Sequence, residues 1–151
     1  MKKRFTPYKQ GFFKPLNPQK YKGNPIQIVY RSSWELKFMM MLDKNPDVLQ
    51  WGSEELTIRY RNPLTRRSHR YFPDFYLKKK DKDGNIREAL IEIKPHSQTM
   101  EPKTQKQRTP AYIKKCQEYV KNKAKWEAAT SFCQDRKWEF HILTEHDLGI
   151  K

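Results

Sequence analysis

Two runs, Tyr71-Phe72-Pro73-Asp74-Phe75-Tyr76-Leu77 and Ala89-Leu90-Ile91-Glu92-Ile93-Lys94, are joined through Lys80-Asp81-Lys82-Asp83-Gly84-Asn85. The first is aromatic and β-prone apart from its proline, the second alternates, and the Asp-Gly pair between them marks a tight hairpin turn. With Asp83 and Gly84 as the central pair, the register puts Asp74 opposite Ile93, within one residue. Period 2 sends Ala89, Ile91 and Ile93 to one face and Leu90, Glu92 and Lys94 to the other. The reading therefore gathers Asp74, Glu92 and Lys94 at one end of a hairpin.

Two crowded carboxylates repel, which raises the proton affinity of one unless a cation neutralises the pair. Mg²⁺, or Mn²⁺ in its place, suits such a site: it takes hard oxygen ligands, typically one or two carboxylates completed by water and substrate phosphate. A lysine beside them can orient or deprotonate a water, or offset charge building on phosphorus. That set is suited to phosphodiester hydrolysis. The alternative is a salt-bridge ladder across a solvated hairpin face, worth about 0.2–1 kcal/mol per pair.

Upstream, Leu56, Ile58 and Tyr60 alternate with Thr57, Arg59 and Arg61 up to Asn62-Pro63, which predicts a strand. A basic loop follows, with Arg66, Arg67, His69 and Arg70. Ser32 and Ser33 are N-cap residues for a helix over Trp34 to Leu42, stopped by Asn45-Pro46. Glu35 shares the side of Phe38, Met39 and Leu42, so its carboxylate faces inward. Ser32-x-x-Glu35 is also a capping box, in which the glutamate reaches back to a backbone N–H, and on the residues alone that reading is the stronger.

Downstream, Pro95 opens a polar run to Thr109 with Lys103, Lys106 and Arg108 and a single acid, Glu101. Loops of this length are functional or disordered, and this one is placed to follow a DNA backbone or simply to connect. Thr109-Pro110 starts one or two helices whose stripe carries Tyr112, Cys116, Tyr119 and Val120, then Trp126, Ala129, Phe132 and Cys133. Both thiols are expected to be buried. Trp138, Phe140 and Ile142 begin a last strand, and the strand–helix–strand order predicts that it runs parallel to a hairpin strand. The four histidines have no zinc spacing; His96, two residues past Lys94, is the one close to the expected chemistry.

The 151 residues suit one domain, and 32 Lys plus Arg against 17 Asp plus Glu leave a net charge of +15. That excess points to an anionic polymer, with double-stranded DNA first and RNA last, since RRM and KH signatures are lacking. No window carries the eighteen apolar residues a membrane span needs, no secretory signal is expected, and two cysteines cannot build a disulfide framework. The chain reads as cytosolic. Residues 1–30 hold no acid but Lys2, Lys3, Arg4, Lys9, Lys14, Lys20 and Lys22, interleaved with aromatics and prolines. They read as an extended basic arm ahead of a 31–151 domain, its cations available to phosphates and its aromatics to bases or to the domain itself.

The ordered motifs Ser33-x-Glu35, Tyr71-x-Pro73-Asp74-Phe75 and Ile91-Glu92-Ile93-Lys94-Pro95 resemble those of the PD-(D/E)xK nuclease superfamily, particularly TnsA-type endonucleases. The resemblance covers about residues 25–148, and the chain as a whole, including its size and C-terminal part, is also similar to the head completion nucleases of T-even-like phages. It implies an α/β, restriction-endonuclease-like αβββαβ core with a mixed sheet flanked by helices. It further implies a Mg²⁺ or Mn²⁺ site on Asp74, Glu92 and the Ile93 carbonyl with Glu35 assisting, and Lys94 as catalytic lysine. TnsA-type enzymes often carry Gln where this chain has Glu92. The expected DNA contacts are the arm cations with Arg66, Arg67, Arg70, His96, Lys103, Lys106 and Arg108. The phage resemblance implies work in the host cytoplasm during assembly or on the virion, with portal or neck proteins as partners. The competing reading is a structural, DNA-contacting virion protein whose nuclease site is vestigial or silent.

Overall fold

The computed structural model describes residues 10–150. Its centre is a four-stranded mixed sheet built from β3 (Val48–Ser53), β6 (Phe75–Lys80), β7 (Ile86–Ile93) and β8 (Glu139–Leu143), in that spatial order. β3, β6 and β7 pair antiparallel and β8 joins β7 in parallel, as the strand–helix–strand order predicts. Helix α1 (Ser33–Lys44) precedes β3, and helix α2 (Pro110–Arg136) fills the connection to β8. This α/β arrangement with a mixed sheet and two helices fits a restriction-endonuclease-like nuclease fold.

Alternation along the hairpin strands divides the core. Phe75, Leu77, Ala89 and Ile91 pack with Phe38, Met39 and Leu42 of α1, while Tyr76 and Leu90 pack with Ala129 and Cys133 of α2. Burying the three α1 side chains stabilises by about 1.5–3 kcal/mol each. α1 begins as expected, with the Ser32 hydroxyl accepting from the Glu35 N–H at 3.1 Å. α2 is one 27-residue helix capped by Thr109 and ended by Lys137 in the left-handed region at φ 61°. Cys133 is buried and Cys116 only partly so.

Three features differ from the sequence reading. The first core strand is β3, whose pairing with β6 is interrupted between Val48 and Gln50. A bulge of this kind erases the period-2 signature that would have announced it. The strand expected from Leu56 exists as β4 (Ile58–Asn62), but it pairs with β5 (Arg67–Tyr71) in a separate two-stranded ribbon. Three of the four residues of the expected basic loop, Arg67, His69 and Arg70, therefore belong to a strand. Phe72-Pro73-Asp74 separates β5 from β6, because Pro73 has no N–H to give to a ladder. Finally, the β6–β7 turn spans Asp81–Asn85: Gly84, at φ 83°, donates its N–H to the Asp81 carbonyl, and Asp81 donates to the Asn85 carbonyl. Phe75 faces Ile91, so the register carries Asp74 to Glu92, within the one residue that the expected register allowed.

Residues 10–30 lie on the domain. β1 (Gly11–Phe13) pairs with β2 (Ile28–Tyr30), and Phe13, Tyr21 and Ile28 are buried in the α1-side core. The buried Asp43 carboxylate accepts the Leu16 and Asn17 N–H groups at 2.7 and 3.1 Å. Lys20 Nζ donates to the Leu42, Asp43 and Asn45 carbonyls at 2.8–2.9 Å, which caps the C-terminus of α1. Within the described residues, 10–30 thus form a belt fastened to α1, with Phe13 and Tyr21 anchored in the domain.

Candidate active site

The end of β7 and the residue before β6 meet at one corner of the sheet. Asp74 is held at both ends: its carbonyl accepts the Glu54 N–H at 3.1 Å, and its Oδ2 accepts the Ile93 N–H at 2.8 Å. Glu92 is 6 % exposed. Its Oε1 accepts the Tyr71 hydroxyl at 2.6 Å, leaving Oε2 turned to Lys94 Nζ at 3.9 Å. Lys94 is part-exposed and its backbone N–H is paired with the Leu143 carbonyl at 3.0 Å, so β8 fixes its base while the ammonium reaches solvent.

The electrostatics follow from crowding. Burial, reinforced by the negative charge of Glu92, holds the Asp74 carboxyl well above the usual carboxylate range; the Ile93 N–H opposes this, Glu35 adds to it and Lys94 relieves it. Burial also pushes the Glu92 carboxyl up, against the Tyr71 hydroxyl and the charges of Lys94 and Lys125. Glu35 is likewise raised, first by burial, then opposed by the Arg31 N–H and raised again by Glu54. Three carboxyl groups thus feel one another, and the folded protein carries the repulsion.

Glu35 sits at the start of α1 with its carboxyl turned back along the chain. Its Oε1 accepts the Arg31 N–H at 3.0 Å, one residue earlier than a capping box requires, while its charge is felt at Asp74. Among the described residues no three acid, histidine or cysteine side chains could close round a metal ion. The donor set still fits Mg²⁺ or Mn²⁺, since one or two carboxylates with a peptide carbonyl, water and phosphate suffice for those ions. Beside the site, a cavity of ≈ 320 Å³ is lined by Tyr21, Gln27, Arg31, Glu54, Glu55 and Phe72, and an Arg31–Glu54 ion pair stands in it.

Two residues of the corner escaped the sequence reading. Tyr71 heads the quoted motif, but only the fold shows its hydroxyl on Glu92. Lys125 lies over the Tyr71 ring at 5.6 Å, and burial together with Lys121 and Lys94 lowers its ammonium from the usual lysine value. Its signal was present: Lys125 stands four residues before Ala129 and eight before Cys133, a cation on the buried stripe of α2.

Asp74, Glu92, Ile93 and Lys94 come together as expected. Lys20 is taken up by α1, and Lys2, Lys3, Arg4 and Lys9 lie outside the described residues. Lys14, Lys22, Arg66, Arg67, Arg70, Lys103, Lys106 and Arg108 are exposed. The N–H of His96 is tied to Glu145 at 2.7 Å, and its ring meets His146 at 5.3 Å.

Residues 45–145 match the family described as TnsA-like endonuclease N terminal. The chain belongs to this family. The matched segment of this TnsA-like endonuclease runs from just before β3 through β8, so it contains Asp74, Glu92 and Lys94 and leaves out Glu35. The chain is also 38 % identical over 142 residues to the protein named Head completion nuclease of Enterobacteria phage T4, covering 91 % of this chain and 92 % of that one.

Proposed function

We propose that this protein is a Mg²⁺- or Mn²⁺-dependent DNA endonuclease that hydrolyses phosphodiester bonds at the Asp74–Glu92–Lys94 corner. Its role is in completing phage heads, on packaged DNA or DNA ends, in the host cytoplasm during assembly or on the virion, next to portal or neck proteins. The observation that carries the reading is the convergence of two proton-avid carboxylates on a lysine that reaches solvent. The likeness to the T4 protein supports the setting.

Asp74, Glu92 and the Ile93 carbonyl would hold the ion. When bound, it supplies Lewis-acid polarisation of the phosphate and acidifies a water. Tyr71 pins Glu92 Oε1 so that Oε2 remains available on the side of Lys94. The Ile93 N–H fixes Asp74 without using its second oxygen. Lys94 places its ammonium against the attacking water or a scissile phosphate oxygen and offsets the added negative charge. The P–O bond to the leaving oxygen breaks as the water adds; the leaving oxygen takes a proton from solvent on the side of Lys94, which is part-exposed, and the attacking water gives one up there.

A second reading, a DNA-contacting head protein whose site is silent before assembly, draws on Glu35 being engaged as a helix cap. Supercoiled plasmid incubated with the protein and Mg²⁺ or Mn²⁺ separates the two. The enzyme reading expects nicking by the wild type, stopped by EDTA and by Asp74→Ala or Lys94→Ala. Equal nicking by all three proteins, or none by any while DNA binding persists, overturns it.

A further inference from the structure

The ribbon of β4 and β5 has one buried and one bare side. Ile58, Tyr60 and Tyr71 pack with Ala129 and Cys133 of α2, while Arg59, Arg61, Ser68 and Arg70 point to solvent. Five of the chain's ten arginines lie between residues 59 and 70, and no acid and no lysine occurs from Leu56 to Pro73. Arg59 faces Arg70 directly across the ladder, and Arg61 faces Ser68. Like charges directly opposite in a strand pair are destabilising. Yet among the described residues none of the ribbon arginines has an ion pair, whereas Arg31 and Arg87 both do. Among the described residues Arg59 finds only the Ser68 hydroxyl at 3.4 Å, and Arg70 only the face of Phe72 at 5.8 Å.

Guanidinium groups carry donors and no acceptors, in a fork that matches two phosphate oxygens, which are acceptors only. A face made of such forks recognises the backbone and lacks the mixed donors and acceptors that read base edges. A five-residue strand, about 17 Å long, spans about five base steps of duplex. The ribbon also ends at the chemistry: Tyr71 closes β5 and bonds Glu92, and Asp74 follows three residues on.

We propose that the Arg59–Arg61–Arg70 face of the ribbon is a docking surface for the sugar–phosphate backbone of duplex DNA, sequence-neutral, which seats the strand beside the Glu92–Asp74 corner. This deepens the nuclease reading and rests on it for the seat of the scissile strand. Binding is measured in EDTA, without turnover, by fluorescence anisotropy of AT-rich and GC-rich duplexes and of one single strand across a salt series from about 50 to about 300 mM. The combined Arg59→Gln, Arg61→Gln, Arg70→Gln variant should bind both duplexes roughly a hundredfold more weakly at about 150 mM salt, with a log–log salt slope shallower by about 2.7. Its thermal midpoint should equal or exceed that of the wild type, since the facing charges are gone. An unchanged salt slope, a loss confined to one duplex, or wild-type protein holding the single strand as tightly as duplex overturns the proposal. Duplex affinity that follows the ribbon in a wild type that never cleaves sinks the nuclease reading alone; full cleavage and affinity in the triple variant sink this proposal alone.

Discussion

Replacing Asp74 by asparagine should stabilise the protein at neutral pH while abolishing its chemistry. The amide oxygen of the introduced asparagine can still accept the Ile93 N–H that Asp74 takes at 2.8 Å, so the local hydrogen bond survives. What disappears is a carboxylate whose proton affinity is raised by burial and by Glu92, and with it the charge that Glu92 and Glu35 feel. The sign follows from linkage: a carboxyl raised in the folded state binds more protons there than in the unfolded chain. It therefore loses stability as pH rises from the ordinary carboxylate range through the folded-state value. Each tenfold gain in proton affinity on folding is worth about 1.4 kcal/mol above that window, or about 3–6 °C in Tm for a chain of this length. Melting curves in EDTA from about pH 4 to about pH 8 should show the wild type falling more steeply than Asp74→Asn as pH rises, with the variant several degrees higher at about pH 7.5 and the gap closing near pH 4. Adding Mg²⁺ should raise the wild type alone, by about 2.7 kcal/mol at a hundred times its dissociation constant. A variant less stable than wild type at neutral pH without metal would refute the crowding argument.

Tyr71→Phe removes the hydroxyl on Glu92 Oε1 and leaves a buried carboxylate oxygen unpaired, so urea denaturation should show a loss of about 1–3 kcal/mol. Because that hydroxyl lowers the proton affinity of Glu92, its removal should also shift the acid limb of the cleavage pH profile to higher pH. Lys20→Met strips three carbonyls at the end of α1 of their donor; it should lower stability by about 1–2 kcal/mol while leaving the salt slope of DNA binding unaltered. Lys94→Ala should reduce the plasmid-nicking rate by about a hundredfold or more without weakening DNA binding in EDTA to a similar degree, as expected of a group acting on the reacting phosphate.

The corner was legible because its pieces are local. A tight turn, a period-2 strand and a Pro-Asp step fix where Asp74, Glu92 and Lys94 fall, and the one-residue latitude of the turn keeps all three at the same corner. What escaped was non-local. β3 was hidden by its interrupted register, and β5 read as loop because Arg66, Arg67, His69 and Arg70 resemble a solvated connector until Ile58 and Tyr60 are known to line the other side. The aromatic-basic stretch 10–30 has no period of its own; Asp43 and the carbonyls at the end of α1 order it, and no sequence pattern announces those partners. Tyr71 and Lys125 acquire roles only once β5 and α2 are packed over Glu92.

Crystals of the wild-type protein equilibrated with Mn²⁺ offer the most direct measurement. Anomalous difference density should appear between the carboxylates of Asp74 and Glu92, about 2.0–2.4 Å from an oxygen of each, and vanish in Asp74→Asn crystals treated alike. Mn²⁺ bound elsewhere, with that corner empty in crystals whose dissolved protein nicks plasmid in the same buffer, would contradict the account.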